Sequence, residues 1–309
     1  MISLTVGLLL VAAFLIVLER CRASFAVNDS LARQQDAARH ALSVLVPDIE
    51  HAGFYGFGRG SARVVGGLPS GIHACGTDFA TNLAAPALGS NNTYRLGADA
   101  LDCAPAASAG GARTGTDTLT LRHASMSTVA PRAGRLQIYS QRLSVAASLL
   151  LFADGHAPGV VDAAHEVRDV EVRTYYVAND SVQRPGWPAL RVKALTESRG
   201  GAQFRDEEIL PGVEDLQVEL GVATLTDGET RVAYVAPDSA RVREGTVVAV
   251  RLWLRIRADN TEPGYLDARS LTYADVRFTP TDAEAKLRRM LVERTVALRN
   301  APWSSATGS

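Results

Sequence analysis

Three cysteines are the residues of this chain whose chemistry is most specific. Cys75 and Cys103 lie in a region rich in glycine, alanine and asparagine, where loops are expected, and Cys21 follows an uncharged N-terminal run. Two cysteines in loops predict a disulfide bond and therefore an oxidising compartment such as the periplasm. His73 beside Cys75 leaves a metal site as an alternative, but two cysteines and one histidine fall short of the four ligands of structural zinc. We therefore expect neither a metal nor another cofactor.

Enzymatic chemistry is not expected from the remaining polar residues. The chain contains no Gly-x-Ser-x-Gly element, no Gly-x-Gly-x-x-Gly turn that opens a helix, no phosphate-binding loop and no His-Glu-x-x-His pair. The acidic residues 206–208 are more typical of a solvated strand edge than of a calcium site. None of the histidines has the spacing of a ligand pair or of a catalytic triad. The six histidines are His40, His51, His73, His123, His156 and His165.

Three arginines offer an anion-binding alternative. Arg251, Arg255 and Arg257 alternate along one face of a predicted strand, beside Trp253. Such a face could contact DNA or another anion, although arginines on a strand are more often paired with carboxylates of the neighbouring strands. The net charge of −1 supplies no electrostatic footprint for nucleic acid over the whole chain of 309 residues. Neither nucleic acid nor a small-molecule substrate is therefore expected as the main partner.

The N-terminal fifty residues predict one long helix with two different halves. Residues 1–18 carry no charge and are apolar almost throughout, and at about 1.5 Å per residue they approach the thickness of a hydrocarbon core. We expect this half to span a membrane and to pack in a filament, with Gly7 allowing close helix approach. The residues expected to make these contacts are Leu4, Gly7, Leu8, Val11, Phe14 and Leu15.

The second half of the helix, residues 19–52, is amphipathic and should pack on a domain. Its apolar residues recur at steps of mostly three and four, whereas Gln34 belongs to the polar residues assigned to the remaining surface. Pro47 lacks an amide hydrogen and predicts a kink or local break, and the glycines of residues 53–60 end the helix. The residues expected to pack on the domain are Leu31, Ala38, Leu42, Leu45 and Ile49.

The remaining chain changes to the period of two that is typical of strands. Alternating segments predict strands at 116–122, 167–177, 188–195, 213–222, 247–257 and 290–298. The fold class expected is α+β: a long N-terminal helix followed by a mainly antiparallel β domain over residues 53–300. Within it, residues 61–115 should form an irregular loop that the disulfide holds, and residues 301–309 a disordered tail.

Several segments resemble PilW-type minor pilins of bacterial type IV pili. The helix end resembles the helix-to-domain junction of that family at residues 31–36 (LARQQD) and 48–56 (DIEHAGFYG). Further similarity lies in residues 208–218 (EILPGVEDLQV), 247–251 (VVAVR), 288–289 (RR) and 295–300 (TVALRN). These segments occur in the order that the family has, over nearly the whole chain, except between about residues 61 and 115.

The resemblance implies a structural protein that primes pilus assembly and sits in a minor-pilin complex at the pilus tip. The implied partners are other minor pilins (similar to PilV, PilX and FimU), the major pilin and the large tip adhesin. The implied location is the inner membrane, by one span with a periplasmic domain, and the pilus tip after assembly. A type II secretion minor pseudopilin of the J-like kind, or a tip subunit that binds DNA or another ligand, are the alternatives.

The N-terminus departs from the family pattern. Members begin with a short basic leader and then Gly-Phe-Thr-Leu-Ile-Glu-Leu, which precedes a segment like residues 1–4 (MISL) of this chain. The leader-peptidase site and the membrane-embedded glutamate therefore have no counterpart here. We expect Met1 to be an internal methionine, with translation that starts upstream. A basic leader would also hold the N-terminus in the cytoplasm, as the positive-inside rule requires.

Overall fold

The protein consists of one long helix followed by a mainly antiparallel β domain. The computed structural model describes residues 2–58, 62–96, 103–142, 149–198, 201–226, 228–262 and 264–301. The predicted tail lies outside the described residues apart from Ala301, and so do parts of the predicted loop over residues 61–115.

Helix α1 runs from Ile2 to His51 without interruption. Of the kink or local break predicted between Ser43 and Pro47, the break is wrong, since Pro47 lies inside the continuous helix, and the kink stays a prediction. Pro47 and Ser43 are both exposed, so the Ser43 carbonyl that loses its amide donor can be hydrated by water. Gly53, with φ of +82°, follows the helix end in a conformation that glycine adopts at little cost.

The apolar first half of α1 extends away from the β domain. In the described part of the chain, no helix has a stretch of apolar residues long enough to cross a membrane. The membrane span predicted for residues 1–18 therefore stays a prediction.

The first sheet has eight strands among the described residues. The long strand β6 joins the two parts of this sheet. Strand β4 pairs with the beginning of β6, β3 with its middle and β7 with its end. All pairs are antiparallel except β1 with β5. The strands are β1 (Ala62–Val64), β2 (Ala87–Ser90), β3 (Thr118–Ala124), β4 (Ala133–Gln141), β5 (Leu149–Asp154), β6 (His165–Ala178), β7 (Ala189–Ser198) and β8 (Gly201–Pro211).

A second, four-stranded antiparallel sheet has the order β10-β9-β11-β14. A short two-stranded sheet, β12 with β13, and the one-turn helix α2 (Arg241–Glu244) complete the domain, together with 3-10 turns at Ser70–His73, Ala107–Ala109 and Glu284–Lys286. The strands are β9 (Val213–Thr226), β10 (Glu229–Val235), β11 (Thr246–Arg257), β12 (Leu271–Tyr273), β13 (Val276–Phe278) and β14 (Arg289–Ala297).

The main core lies between α1 and both sheets. Ala38, Leu45 and Ile49 are buried there, as the helical periodicity predicts, while Leu31 and Leu42 are half-buried. The position of Gln34 was predicted wrongly: it lies on the buried face, where its side-chain amide donates to the Ile256 and Arg288 carbonyls at 3.2 and 3.0 Å. A second core lies among β4, β5, the first part of β6 and the segment that follows α1.

Replacing Leu45 by alanine should destabilise the protein by about 2–5 kcal/mol, because Leu45 is fully buried and the smaller side chain leaves a cavity. Leu31→Ala, on the same helix but half-buried, is the matched control and should have a clearly smaller effect. Urea unfolding of the detergent-solubilised chain measures both. Equal losses for the two variants would contradict the assigned burial of the helix face.

Candidate functional site

The junction between α1 and the β domain is built around one buried carboxylate. Asp48 is only 4% exposed and lies on the domain-facing side of the helix. Its oxygen atoms accept hydrogen bonds from Arg173 Nη1 at 2.7 Å, from the Tyr175 hydroxyl at 2.6 Å and from His123 Nε2 at 3.1 Å. The donors come from β3 and β6, so a single side chain joins the helix to two adjacent strands. A buried carboxylate is tolerated when it is paired and hydrogen-bonded in this way.

His123 is held as an imidazolium at this junction. Its Nε2 faces Asp48, and its Nδ1 faces the Ala124 carbonyl oxygen at 2.9 Å. Both partners are acceptors, so both ring nitrogens must carry a proton. Burial by itself would lower the pKa of His123, but the hydrogen bond and the charge of Asp48 outweigh it and raise this pKa above its usual value.

The same contacts stabilise the charged form of Asp48. Burial would raise the pKa of the Asp48 carboxyl, yet the hydrogen bond from His123 and the positive charge of Arg173 together lower it. Burial and the Asp48 charge raise the pKa of Tyr175, so its hydroxyl keeps the proton that it donates. The junction is thus an anion enclosed by two cations and one neutral donor.

Two further contacts attach the end of the helix to the end of the chain. The Arg299 guanidinium lies 2.9 Å from the Glu50 carboxylate, and the Arg299 amide donates to the Glu50 carbonyl at 3.2 Å. Together with Gln34 near the other end of the packed segment, these contacts attach the helix along the length of its second half.

A second buried ionic cluster lies at the start of β9. Glu214 accepts hydrogen bonds from Arg289 Nε at 2.6 Å and from Arg255 Nε at 3.2 Å. Asp215 accepts from the Tyr273 hydroxyl at 2.6 Å and lies 3.3 Å from Arg255 Nη1. These residues connect β9, β11, β12 and the start of β14. The cluster therefore links the second sheet to the short sheet formed by β12 and β13.

The arginine face predicted on β11 is not an exposed anion-binding face. Arg255 is buried between Glu214 and Asp215, and Arg251 lies 3.4 Å from Glu219 of the neighbouring strand. The reason is that β12 and β13 cover this side of β11. The centre of the Phe278 ring lies 3.8 Å from the Arg255 guanidinium carbon. Of the three predicted residues, Arg257 alone has no carboxylate partner within ion-pair distance among the described residues.

Cys75 and Cys103 are joined by a disulfide with a Cα–Cα distance of 4.9 Å. The nearby His73 Nδ1 faces the Thr77 carbonyl oxygen at 2.8 Å. Across the described ranges no cluster of three His, Cys, Asp or Glu side chains is arranged to hold a metal ion. Arg122 fixes part of the same loop, because it donates to the Phe79 and Ala85 carbonyls at 2.8 Å.

The residues predicted to pack in a membrane or filament are exposed in the isolated chain. Leu8, Val11, Phe14 and Leu15 each have more than half of their surface open, and a Cβ added at Gly7 would contact nothing within 4 Å. The side chain of Leu4 lies outside the described residues. The apolar half of α1 therefore presents a wide surface with no partner from its own β domain.

Asp48 and its three donors were not foreseen from the sequence. A signal was present, since Asp48 lies at helical spacing from Ala41, Leu45 and Ala52 on the apolar face. A carboxylate on such a face requires a buried cation, but nothing in the local sequence identifies His123 or Arg173 as that partner.

Replacing Asp48 by asparagine should destabilise the chain by about 3 kcal/mol, because His123 and Arg173 lose their counter-charge in a buried setting. Asp36→Asn is the matched control: Asp36 lies on the same helix, 3.0 Å from Arg39, but both side chains are exposed. Its effect should stay below about 1 kcal/mol. Urea unfolding at neutral pH measures both variants, and similar losses would argue against a special role for the junction.

The contribution of His123 to stability should depend on pH. Because its pKa is raised in the folded chain, the contribution is complete below the unfolded value of 6.5 and is lost as pH rises through the folded pKa. The difference in unfolding free energy between the native chain and His123→Gln should therefore be largest below pH 6.5 and should shrink as the pH rises above it. His40→Gln, at an exposed position of α1, should show no such trend. A constant difference for His123→Gln would contradict the imidazolium assignment.

Part of the chain matches a known protein family. Residues 174–300, which include Tyr175 and both ionic partners of Glu214, match the family model described as type IV pilus-assembly protein W. No match to the chain was found among the curated proteins. Among solved structures, a type IV-like pilin from Thermus thermophilus aligns over 89% of this chain and 97% of its own, with 14% sequence identity and a TM-score of 0.36. The predicted resemblance is thus confirmed through residues 174–300, which carry the sequence pattern of the type IV pilus-assembly protein W family.

Proposed function

We propose that this chain is a minor pilin of a type IV pilus, a structural subunit that helps to prime pilus assembly and sits in a minor-pilin complex at the tip. In this proposal the first half of α1 anchors the subunit in the inner membrane before assembly. The β domain then lies in the periplasm, and the disulfide between Cys75 and Cys103 suits that oxidising compartment.

The observation that carries the proposal is the unequal burial of the two halves of α1. From Ser30 onwards one face of the helix is buried against the β domain, whereas Leu8, Phe14 and Val17 are largely exposed. A contiguous apolar surface of this extent requires a partner that is itself apolar. Lipid chains and the apolar helices of neighbouring subunits both meet that requirement, the first before assembly and the second within a filament.

The firm junction at Asp48 also suits a subunit that is pulled and packed by its helix. Movement of the helix is transmitted to β3 and β6 by charge-assisted hydrogen bonds, which are stronger than neutral ones. The partners proposed are other minor pilins similar to PilV, PilX and FimU, the major pilin and the large tip adhesin. Family similarity supports pilus components as a class, and the individual partners are part of the proposal.

A minor pseudopilin of type II secretion is the second candidate, because the helix of such a protein also requires an apolar partner. The family match over residues 174–300 favours the pilus. Deleting the gene in the source bacterium separates the two: loss of surface pili with normal protein secretion supports the pilus, and the reverse result supports secretion.

A charged residue in the apolar half of α1 should prevent assembly. We expect Phe14→Arg, at a position 66% exposed in the isolated chain, to reduce the amount of this subunit in membranes and sheared pili several-fold. The reason is that an arginine in the hydrocarbon core costs about 2.5–3.5 kcal/mol. Immunoblots of membrane and pilus fractions from the complemented deletion strain measure the effect.

Phe25→Arg is the matched control, because Phe25 is 75% exposed and lies beyond the apolar run. This variant should restore the subunit in both fractions. Normal membrane and pilus levels of Phe14→Arg would show that the first half of α1 is not covered by lipid or by other helices, and the proposed role would fail.

A further inference from the structure

The Trp187 ring contacts two arginine guanidinium groups at the end of β11. The guanidinium carbon of Arg257 is 4.3 Å from the centre of the Trp187 ring, and that of Arg184 is 4.9 Å from it. Arg257 is the last residue of β11, and its amide donates to the Gly212 carbonyl at 3.0 Å. Trp187 thus supplies a flat apolar wall that fixes the orientation of both cations.

The two arginines differ in their counter-charge. Arg184 lies 3.1 Å from Asp259, which Arg33 of the long helix also approaches at 3.6 Å. Arg257 is half-buried, and no carboxylate oxygen of the described residues lies within 4.0 Å of its nitrogen atoms. Its Nε is buried without a hydrogen-bond acceptor. Asp259, two residues further along the chain, is already paired with Arg33 and Arg184.

This lack of a partner is unusual within the domain. Other buried or half-buried arginines of the described part have carboxylates within ion-pair distance, namely Arg135, Arg168, Arg173, Arg191, Arg251, Arg255, Arg288 and Arg289. Arg122 is fully buried and is satisfied by backbone carbonyls. A half-buried guanidinium pays a desolvation cost that a carboxylate normally offsets.

A second arginine without an ion-pair partner among the described residues lies close enough for its charge to act on Arg257. Arg113 is half-buried in the loop before β3, and no described carboxylate lies within 4.0 Å of its nitrogen atoms. That loop is fixed by the bonds from the Arg113 amide to the Val177 carbonyl and from the Asp117 amide to the Leu216 carbonyl. Burial, and then the charges of Arg289 and Arg113, lower the pKa of Arg257, while Glu214 and Asp259 act in the opposite direction. The two arginines therefore repel each other.

We propose that Arg257 and Arg113, beside the ring of Trp187, form a binding site for an oxyanion, a carboxylate or a phosphate group from outside the chain. Such a group would supply the ion-pair partner at contact distance that neither guanidinium group has among the described residues. A guanidinium offers paired N–H donors that match both kinds of oxyanion. The site differs from the face predicted on β11, because Arg251 and Arg255 are neutralised within the fold and take no part.

The test uses Trp187 as the reporter, because a ligand on Arg257 changes the surroundings of the ring. The full chain in detergent is titrated with inorganic phosphate, and separately with succinate, while chloride keeps the ionic strength constant. We expect a saturable change in tryptophan fluorescence for at least one of them. A response to phosphate assigns a phosphate group to the site, and a response to succinate assigns a carboxylate.

Arg257→Gln should weaken the saturable response about tenfold or more, since the charge-assisted hydrogen bonds are lost. Arg113→Gln should weaken it less, and Trp187→Phe should remove the fluorescence change. Arg251→Gln is the matched control: Arg251 lies on the same strand and 3.9 Å from the Tyr234 ring centre, but it is paired with Glu219. This variant should respond like the native chain.

The unfolding midpoint of every variant, measured without added anion, shows whether the chain still folds. The same midpoint measured with the anion gives a second readout, since a ligand of the folded state raises it. A saturable response that Arg257→Gln and Arg113→Gln both retain would overturn the proposal. So would the absence of any saturable response to both anions in the native chain.

Discussion

The position of the helix on the β domain depends on one buried charge. Hydrogen bonds from His123, Arg173 and Tyr175 keep Asp48 ionised in the interior. Their own positions are set by the pairing of β3 with β6, where Arg122 lies opposite Val172 and His123 opposite Glu171. A shift of this register by one residue would turn His123 away from the helix. Strand register and helix docking are therefore fixed together.

The second half of α1 is packed on the β domain, whereas its first half is exposed. Apolar packing alone would let the helix slide by small amounts, because Ala38, Ala41 and Leu45 contact a broad surface. The directional bonds of Asp48 and of Gln34 remove that freedom at two points about four turns apart along the axis. The exposed first half is thereby held in a fixed direction relative to the domain, which a subunit that packs by this half requires.

Much of the fold could be predicted from periodicity, and the candidate site could not. The long helix, its buried residues Ala38, Leu45 and Ile49, and the strand of residues 247–257 follow from apolar spacing. Spacing rules count apolar residues, so Gln34 was assigned to the surface and the role of Asp48 was missed. The partners of Asp48 lie 75 to 127 residues away in sequence, and no local pattern connects them. Similarly, β11 was expected to have one solvated face because the covering strands β12 and β13 are too short to give a signal.

Paired charges also explain one of the segments that resemble the family. The Glu214 and Asp215 carboxylates within residues 208–218 are the counter-charges of Arg255 and Arg289, so these two acidic residues stabilise the fold. Arg257 lies only two residues beyond Arg255 on the same face of β11, yet the cluster ends before it. Burying a cation without a partner costs free energy, so the half-buried Arg257 and Arg113, which have no carboxylate within 4.0 Å among the described residues, are the positions at which the proposed anion would be most stabilising.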